Sequence, residues 1–186
     1  MADSDGLFIV DNRDPEHSGL HYLRQWCEHA KSFDIATGYF EIGALLELDG
    51  HWKKLDKIRI LMGDEVTHRT KRALLEAVRS RAEVKLDESL ETDKHNNPFL
   101  NGVDAIIAAI QSGQIECKVY NRDKFHAKTY ITHGNTDVIG SFALVGSSNF
   151  TCPGLSQNVE LNIRATSAGD VQDLQQWFEK HWDDAE

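Results

Sequence analysis

The stretch Phe125-His-Ala-Lys-Thr-Tyr-Ile-Thr132 alternates in the two-residue period of a half-buried β-strand. On a strand, residues two apart share a face, so the imidazole of His126 and the ammonium of Lys128 can reach one ligand together. The same H-x-K spacing recurs at His29–Lys31 and His51–Lys53, and with nine histidines chance alone supplies roughly half an H-x-K per chain. Geometry separates the three. His29 and Lys31 sit at a predicted helix end, where residues two apart diverge, and His51 and Lys53 sit in a connecting segment. Only the pair in 125–132 is predicted to lie on a strand.

The residues beyond that strand strengthen the signal. Residues 142–146 read as a second apolar strand that ends in Gly146-Ser147-Ser148-Asn149. A Gly-Ser turn lets backbone approach a ligand closely, and Asn149 supplies amide donors. Glu160 falls in a strand predicted over 158–166; if it meets His126, it holds the ring in one tautomer and supports its cationic form. Singly, these features read as an exposed strand face, a turn and a solvent-facing glutamate. Their conjunction in this order is what points to a site.

Working outward, a helix is predicted over 18–31, with Leu20, Leu23, Trp26 and Cys27 on one face. Strands come next at 33–40, ending near Gly38, and at 57–62, with a short helix over 42–48 between them. Thr67 can cap a helix running to 82, and the polar segment 87–101, which contains Pro98, reads as a long loop. A helix over 102–112 precedes strands at 115–120, 125–132, 142–146 and 158–166, punctuated by the turn signals His133-Gly134-Asn135 and Cys152-Pro153-Gly154. A last helix from about residue 169 puts Val171, Leu174, Phe178 and Trp182 on one stripe. Helices before and after a strand-rich second half predict an α/β fold with a mixed β-sheet.

Composition bounds the class. The 186 residues fit one domain, expected to span 1–186, and 40% hydrophobic content is ordinary for a globular chain. The longest apolar run, Ala105 to Ile110, is far short of the roughly 20 residues that cross a bilayer, so no membrane partner is expected. The acidic start, Met1-Ala-Asp-Ser-Asp5, does not read as a signal peptide, and a cytoplasmic location is expected. Cys27, Cys117 and Cys152 form neither a disulfide framework nor a metal motif. His17 and His21 have helix-like spacing but no ligands to complete a metal site. Trp177, Phe178 and Trp182 read as core or dimer packing rather than a base-stacking platform. The chain closes on Asp183-Asp-Ala-Glu186 without a Gly or Pro stop, so continuation into a further domain is expected.

The net charge of −10 is unevenly spread: residues 52–85 carry ten Lys and Arg against five acids. Phosphate binding needs a local positive field rather than a positive total, and Arg69, Lys71 and Arg72 are the candidate backbone contacts, though a solvated helix face has the same composition.

At His126, Lys128, Gly146, Ser147, Asn149 and Glu160 the chain resembles the phospholipase D superfamily, whose signature is H-x-K-x4-D-x6-G-S-x-N. Its wording is closest to the nuclease branch, to domains of restriction enzymes and to N-terminal domains of helicase-like proteins. Two departures stand out: His133 occupies the place of the signature Asp, and the spacer before Gly146 is longer, with Asp137 in the intervening turn. The resemblance implies a phospholipase D-like half carrying one H-x-K, a mixed sheet flanked by helices on both faces, and a homodimer with the site on its two-fold axis. It implies catalytic roles for His126, Lys128, Asn149, Glu160 and Ser147, with Ser148 on the substrate. A neutral imidazole can attack phosphorus, cations and donors neutralise the developing charge, and a second acid must serve the leaving group. No metal or other cofactor is required.

The leading expectation is therefore a metal-independent phosphodiesterase acting on nucleic acid, DNA foremost, through a phosphohistidine intermediate. A nucleic-acid-binding module of a helicase-type protein, with little or no cleavage, stays open. Phospholipid phosphodiester hydrolysis ranks third, for want of a basic amphipathic helix.

Overall fold

The structure, a computed structural model, describes residues 8–48, 50–64, 98–134 and 140–186. Seven strands form one sheet in the order β1-β7-β6-β5-β2-β3-β4. They are β1 (Ile9–Val10), β2 (Ala30–Thr37), β3 (Lys57–Met62), β4 (Ile115–Val119), β5 (Lys128–Gly134), β6 (Phe142–Gly146) and β7 (Asn162–Ala165). β2, β3 and β4 run parallel to one another, and the remaining neighbours pair antiparallel. The mixed sheet expected from the sequence is therefore what forms.

Among the described residues five α-helices flank it: α1 (Gly19–Cys27), α2 (Ile42–Glu47), α3 (Pro98–Ser112), α4 (Cys152–Ser156) and α5 (Ala168–Asp184). β2, β3 and β4 advance in one direction across the sheet, and α2 and α3 both contribute to the core on one of its faces. There Leu20, Leu23, Trp26, Ile42, Leu45 and Ile106 meet Phe33, Ile35, Ile58, Ile60, Tyr130 and Leu144 in the larger core. The opposite face is closed by α5, where Val171, Phe178 and Trp182 pack on Ala36, Leu61, Ile131 and Ala143. Consecutive strand residues go to opposite cores, Ile35 to one and Ala36 to the other, as the strand period requires. Phe178 and Trp182 are thus core residues, while Trp177 is partly buried and stacks on Phe125 at 6.2 Å.

The face under α5 also holds a buried ionic cluster. Asp34 is 2% exposed, accepts two hydrogen bonds of 2.7 Å from Arg59, and accepts 2.9 Å from His133 Nε2. Arg59 in turn reaches Glu179 of α5 at 2.7 and 2.9 Å and lies over the rings of Phe178 and Trp182. Burial works against the Asp34 charge, but the bonds from His133 and Arg59 outweigh it and hold its pKa below the usual carboxylate value. His133, at the place of the signature acid, thus receives its carboxylate from the neighbouring strand.

Several predicted boundaries move. α1 ends at Cys27 rather than at 31, and β2 begins at Ala30, because that residue pairs with Gly134 of β5. α3 begins at Pro98 instead of 102; proline suits a first helical turn, where its missing N–H has no partner to lose. The segment 152–156 is a short helix capped by Thr151, whose Oγ1 accepts from Gly154 N at 3.0 Å, not only a turn. His133 and Gly134 continue β5 rather than turning. His17 falls in a 3-10 turn over Pro15–His17, before α1, so it and His21 do not share a helix. The edge strand β1, two residues long, is too short to write a period in the sequence. The helix predicted over 67–82, most of the loop 87–101 and Asp137 lie outside the described residues. Among the described residues, no helix is long and apolar enough to cross a membrane.

Candidate active site

The candidate residues gather at one end of the sheet, where β2, β3 and β6 finish and β5 and β7 begin. Gly38 N donates to Ala127 O at 2.9 Å, and the strand β5 opens at Lys128. His126 therefore stands just ahead of the strand rather than within it, a correction to the expected 125–132. The chain there is held by contact instead of a ladder. A Cβ on Gly38 would meet Phe125 O at 3.0 Å and His126 Cα at 3.1 Å, and one on Gly63 would meet Gly38 O at 2.6 Å. Only residues without a side chain allow three backbone segments to crowd this closely beside His126.

Lys128 is buried and folds back on His126, with Nζ 2.7 Å from Nδ1 and 2.9 Å from the His126 carbonyl oxygen. An ammonium can only donate, so the near ring nitrogen accepts. Burial pushes the Lys128 pKa down, and the negative charge of nearby Glu160 opposes that shift.

Asn149 is placed by a seam between the ends of β2 and β6. Thr37 Oγ1 accepts from Phe150 N at 3.1 Å and donates to Tyr39 O at 2.8 Å, and Tyr39 N donates to Asn149 Oδ1 at 3.2 Å. This bond fixes the Asn149 amide by its oxygen. It lines an open cleft of about 240 Å³ together with Gly38, Tyr39, Asp64, Lys124, Phe125 and His126.

Ser147 and Glu160 meet each other: the serine hydroxyl donates to Glu160 Oε2, and Leu161 N donates to Ser147 Oγ at 2.9 Å. Glu160 lies in the connection before β7, which starts at Asn162, not inside a strand from 158. Among the hydrogen bonds of the described residues none joins Glu160 to His126. Ser148 is fully buried. Its N–H donates to Asn162 Oδ1 at 3.2 Å, its hydroxyl accepts from Asn162 Nδ2 at 2.9 Å, and its carbonyl accepts from Tyr130 OH. It fixes the turn from inside instead of facing the cleft as expected. Arg69, Lys71 and Arg72 lie outside the described residues. Among the described residues no group of three or more His, Cys, Asp or Glu gathers as metal ligands.

The Gly146 turn is the tightest point. A Cβ there would stand 2.2 Å from Leu161 O and 2.6 Å from Asn162 Cα, both main chain. Gly146→Ala is expected to cost about 2 kcal/mol or more of unfolding free energy in urea titration, by forcing β6 and β7 apart. An unchanged midpoint would mean this junction is loosely packed.

The fold and this constellation define a phospholipase D-like unit whose site carries the H-x-K pair His126–Lys128. Residues 27–182 match the family described as "Cardiolipin synthase, PLD-like domain", and the chain belongs to that family. The fold is shared with NucT from Helicobacter pylori at TM-score 0.57 and 10% identity, over 95% of each chain. It is shared with Nuc from Salmonella typhimurium, a phospholipase D family member, at TM-score 0.55 and 15% identity, over 96% of this chain and 95% of that one. TrmBL2, an archaeal chromatin protein, matches at TM-score 0.53 and 13% identity, over 100% of this chain and 55% of its own. No curated protein sequence matches.

Proposed function

We propose that the chain is a metal-independent phosphodiesterase that hydrolyses nucleic acid, DNA foremost, through a phosphohistidine on His126 in a site completed by a second copy. The observation that supports this reading is that His126 and Asn149 line one cleft, with the Lys128 ammonium bonded to the His126 imidazole at 2.7 Å. A phosphodiester is anionic before reaction and gains charge at the pentacovalent stage, so an ammonium and an amide aimed at its oxygens favour the transition state over the ground state. A ring nitrogen of His126 attacks phosphorus; the N–P bond forms as the bond to the leaving oxygen breaks. That oxygen needs a proton, and one imidazole cannot supply it while bonded to phosphorus. The second copy's His126 donates it, then takes a proton from the water that breaks the N–P bond. Ser147, tied to Glu160, borders the same site and keeps that carboxylate near Lys128. Arg69, Lys71 and Arg72 extend the contact along the nucleic-acid backbone.

The test is incubation with DNA and RNA, single- and double-stranded, in excess EDTA. Cleavage that persists under chelation is the expected result; cleavage abolished by EDTA contradicts the scheme. Retention of DNA without cleavage would favour the second reading, a binding module. Its support is the fold shared with TrmBL2, whose structure is described as showing a novel mode of DNA binding.

A further inference from the structure

Lys124, His126 and Lys128 stand two residues apart in Lys124-Phe-His-Ala-Lys128, so the H-x-K pair is preceded at the same interval by one more cation. The alternation is kept in space: Phe125 and Ala127 turn into the core under α5, whereas Lys124 and His126 line the cleft. Phe125 is 8% exposed and packs against the rings of Tyr120 at 5.3 Å and Trp177 at 6.2 Å, which anchors the chain between the two cleft residues. The approach to Lys124 is pinned as well. Arg122 pairs with Asp184 at 2.8 Å, and Asn121 Nδ2 donates to the Glu186 carboxylate at 3.1 Å.

The cations around it are already engaged. Lys118 donates to the carbonyl oxygens of Trp182 and Ala185 at 2.8 and 3.1 Å, Arg122 is held by Asp184, and Lys128 folds onto His126. Lys124 is exposed, and among the described residues no hydrogen bond or ion pair engages its ammonium. Asp64 lines the same cleft without pairing to it. On a chain of net charge −10, an ammonium left open on a cleft wall is a local attraction for an anion.

We propose that Lys124 binds the phosphate next to the one that His126 addresses, so that the cleft is built for a chain of phosphodiesters instead of an isolated one. Two residues of extended backbone span about 6.6 Å, comparable with the step between successive phosphates of a nucleic-acid strand. An ammonium and an imidazole at that interval suit neighbouring phosphates. This role rests on the phosphodiesterase reading above and adds to it a contact outside the reacting centre. A phospholipid presents a single diester and leaves Lys124 without a partner, whereas nucleic acid presents one at every nucleotide. The ammonium is expected to act on affinity, because the phosphate it holds carries the same charge before and during the reaction.

The experiment compares bis(p-nitrophenyl) phosphate, which holds one phosphate, with a single-stranded oligodeoxynucleotide, in wild type, Lys124→Ala and Lys124→Arg. In Lys124→Ala, kcat/KM for the oligonucleotide relative to the small diester is expected to fall about fivefold or more, mainly through KM, and Lys124→Arg to restore most of it. A lysine that served only the fold would move both substrates alike. Binding of the oligonucleotide should also become less sensitive to salt, the slope of log affinity against log salt shrinking by about 0.7 for each ammonium removed from the strand. An unchanged ratio or an unchanged slope overturns the role of Lys124 and leaves the phosphodiesterase reading standing. Wild type that cleaves neither substrate overturns that reading, and the binding slope then decides Lys124 by itself. Wild type that neither cleaves nor binds the oligonucleotide overturns both.

Discussion

His126→Ala is expected to lower phosphodiester cleavage by at least about a thousandfold, with binding of DNA largely kept. On the phosphohistidine reading proposed above, the substitution removes the nucleophile, while Lys128 and Asn149 are left to hold the substrate. Lys128 also loses the ring that accepts from it at 2.7 Å, but its bond to the carbonyl of residue 126 does not depend on the side chain. The effect should therefore fall on kcat far more than on KM. A mixed dimer of the Ala variant with wild type sharpens the test. If each site needs one imidazole as nucleophile and one as acid, the heterodimer is expected to be as inactive as the homozygous variant. Cleavage by the variant within tenfold of wild type would place the chemistry elsewhere.

Asp34→Asn is expected to destabilise the protein by about 2 kcal/mol at neutral pH, because it removes the buried charge that pairs with Arg59 and leaves the guanidinium with Glu179 alone. The pH dependence comes from the lowered pKa of Asp34. Above the ordinary carboxylate pKa near 4, the unfolded and folded chains are both ionised there and the full stabilisation is present. As the pH falls below that value the unfolded carboxyl takes up a proton first, and the contribution disappears as the pH passes through the folded pKa. Urea unfolding at pH 7 and at pH 3 should show wild type losing stability toward the variant as acid is added. A constant gap between the two across that range would mean that Asp34 contributes by packing, not by charge.

How much of this is readable from residues alone depends on whether the deciding contact is local. The alternation of residues 57–62 gives β3 with its observed ends, since a buried strand writes its own period. The H-x-K pair and the Gly-Ser-Ser-Asn turn are legible because chemistry constrains residue type and spacing within a few positions. Their exact backbone setting is not. His126 stands ahead of the strand in a crowded junction that Gly38 and Gly63, both far from it in sequence, leave room for. Whether Glu160 meets the imidazole is left open by the sequence; within the chain its side-chain bonds go to Ser147 and Asn158. Tyr39, Asp64 and Lys124 line the cleft although no motif includes them. Two of them come directly after a glycine where a parallel strand stops, and the carboxyl ends of such strands are where open sheets bind ligands, so a signal exists. Asp34 carries another: one carboxylate inside an apolar strand requires a cation, and Arg59 on the neighbouring strand points to the same side.

Trp177 of α5 stacks on Phe125, the residue that leads into His126, and of the elements described α5 is the last that the ribosome delivers. Strands β1 to β7 can emerge and begin pairing while the wall behind the imidazole is still missing. On the phosphodiesterase reading proposed above, a nascent chain is expected to stay silent until residues near 182 clear the exit tunnel and that wall closes.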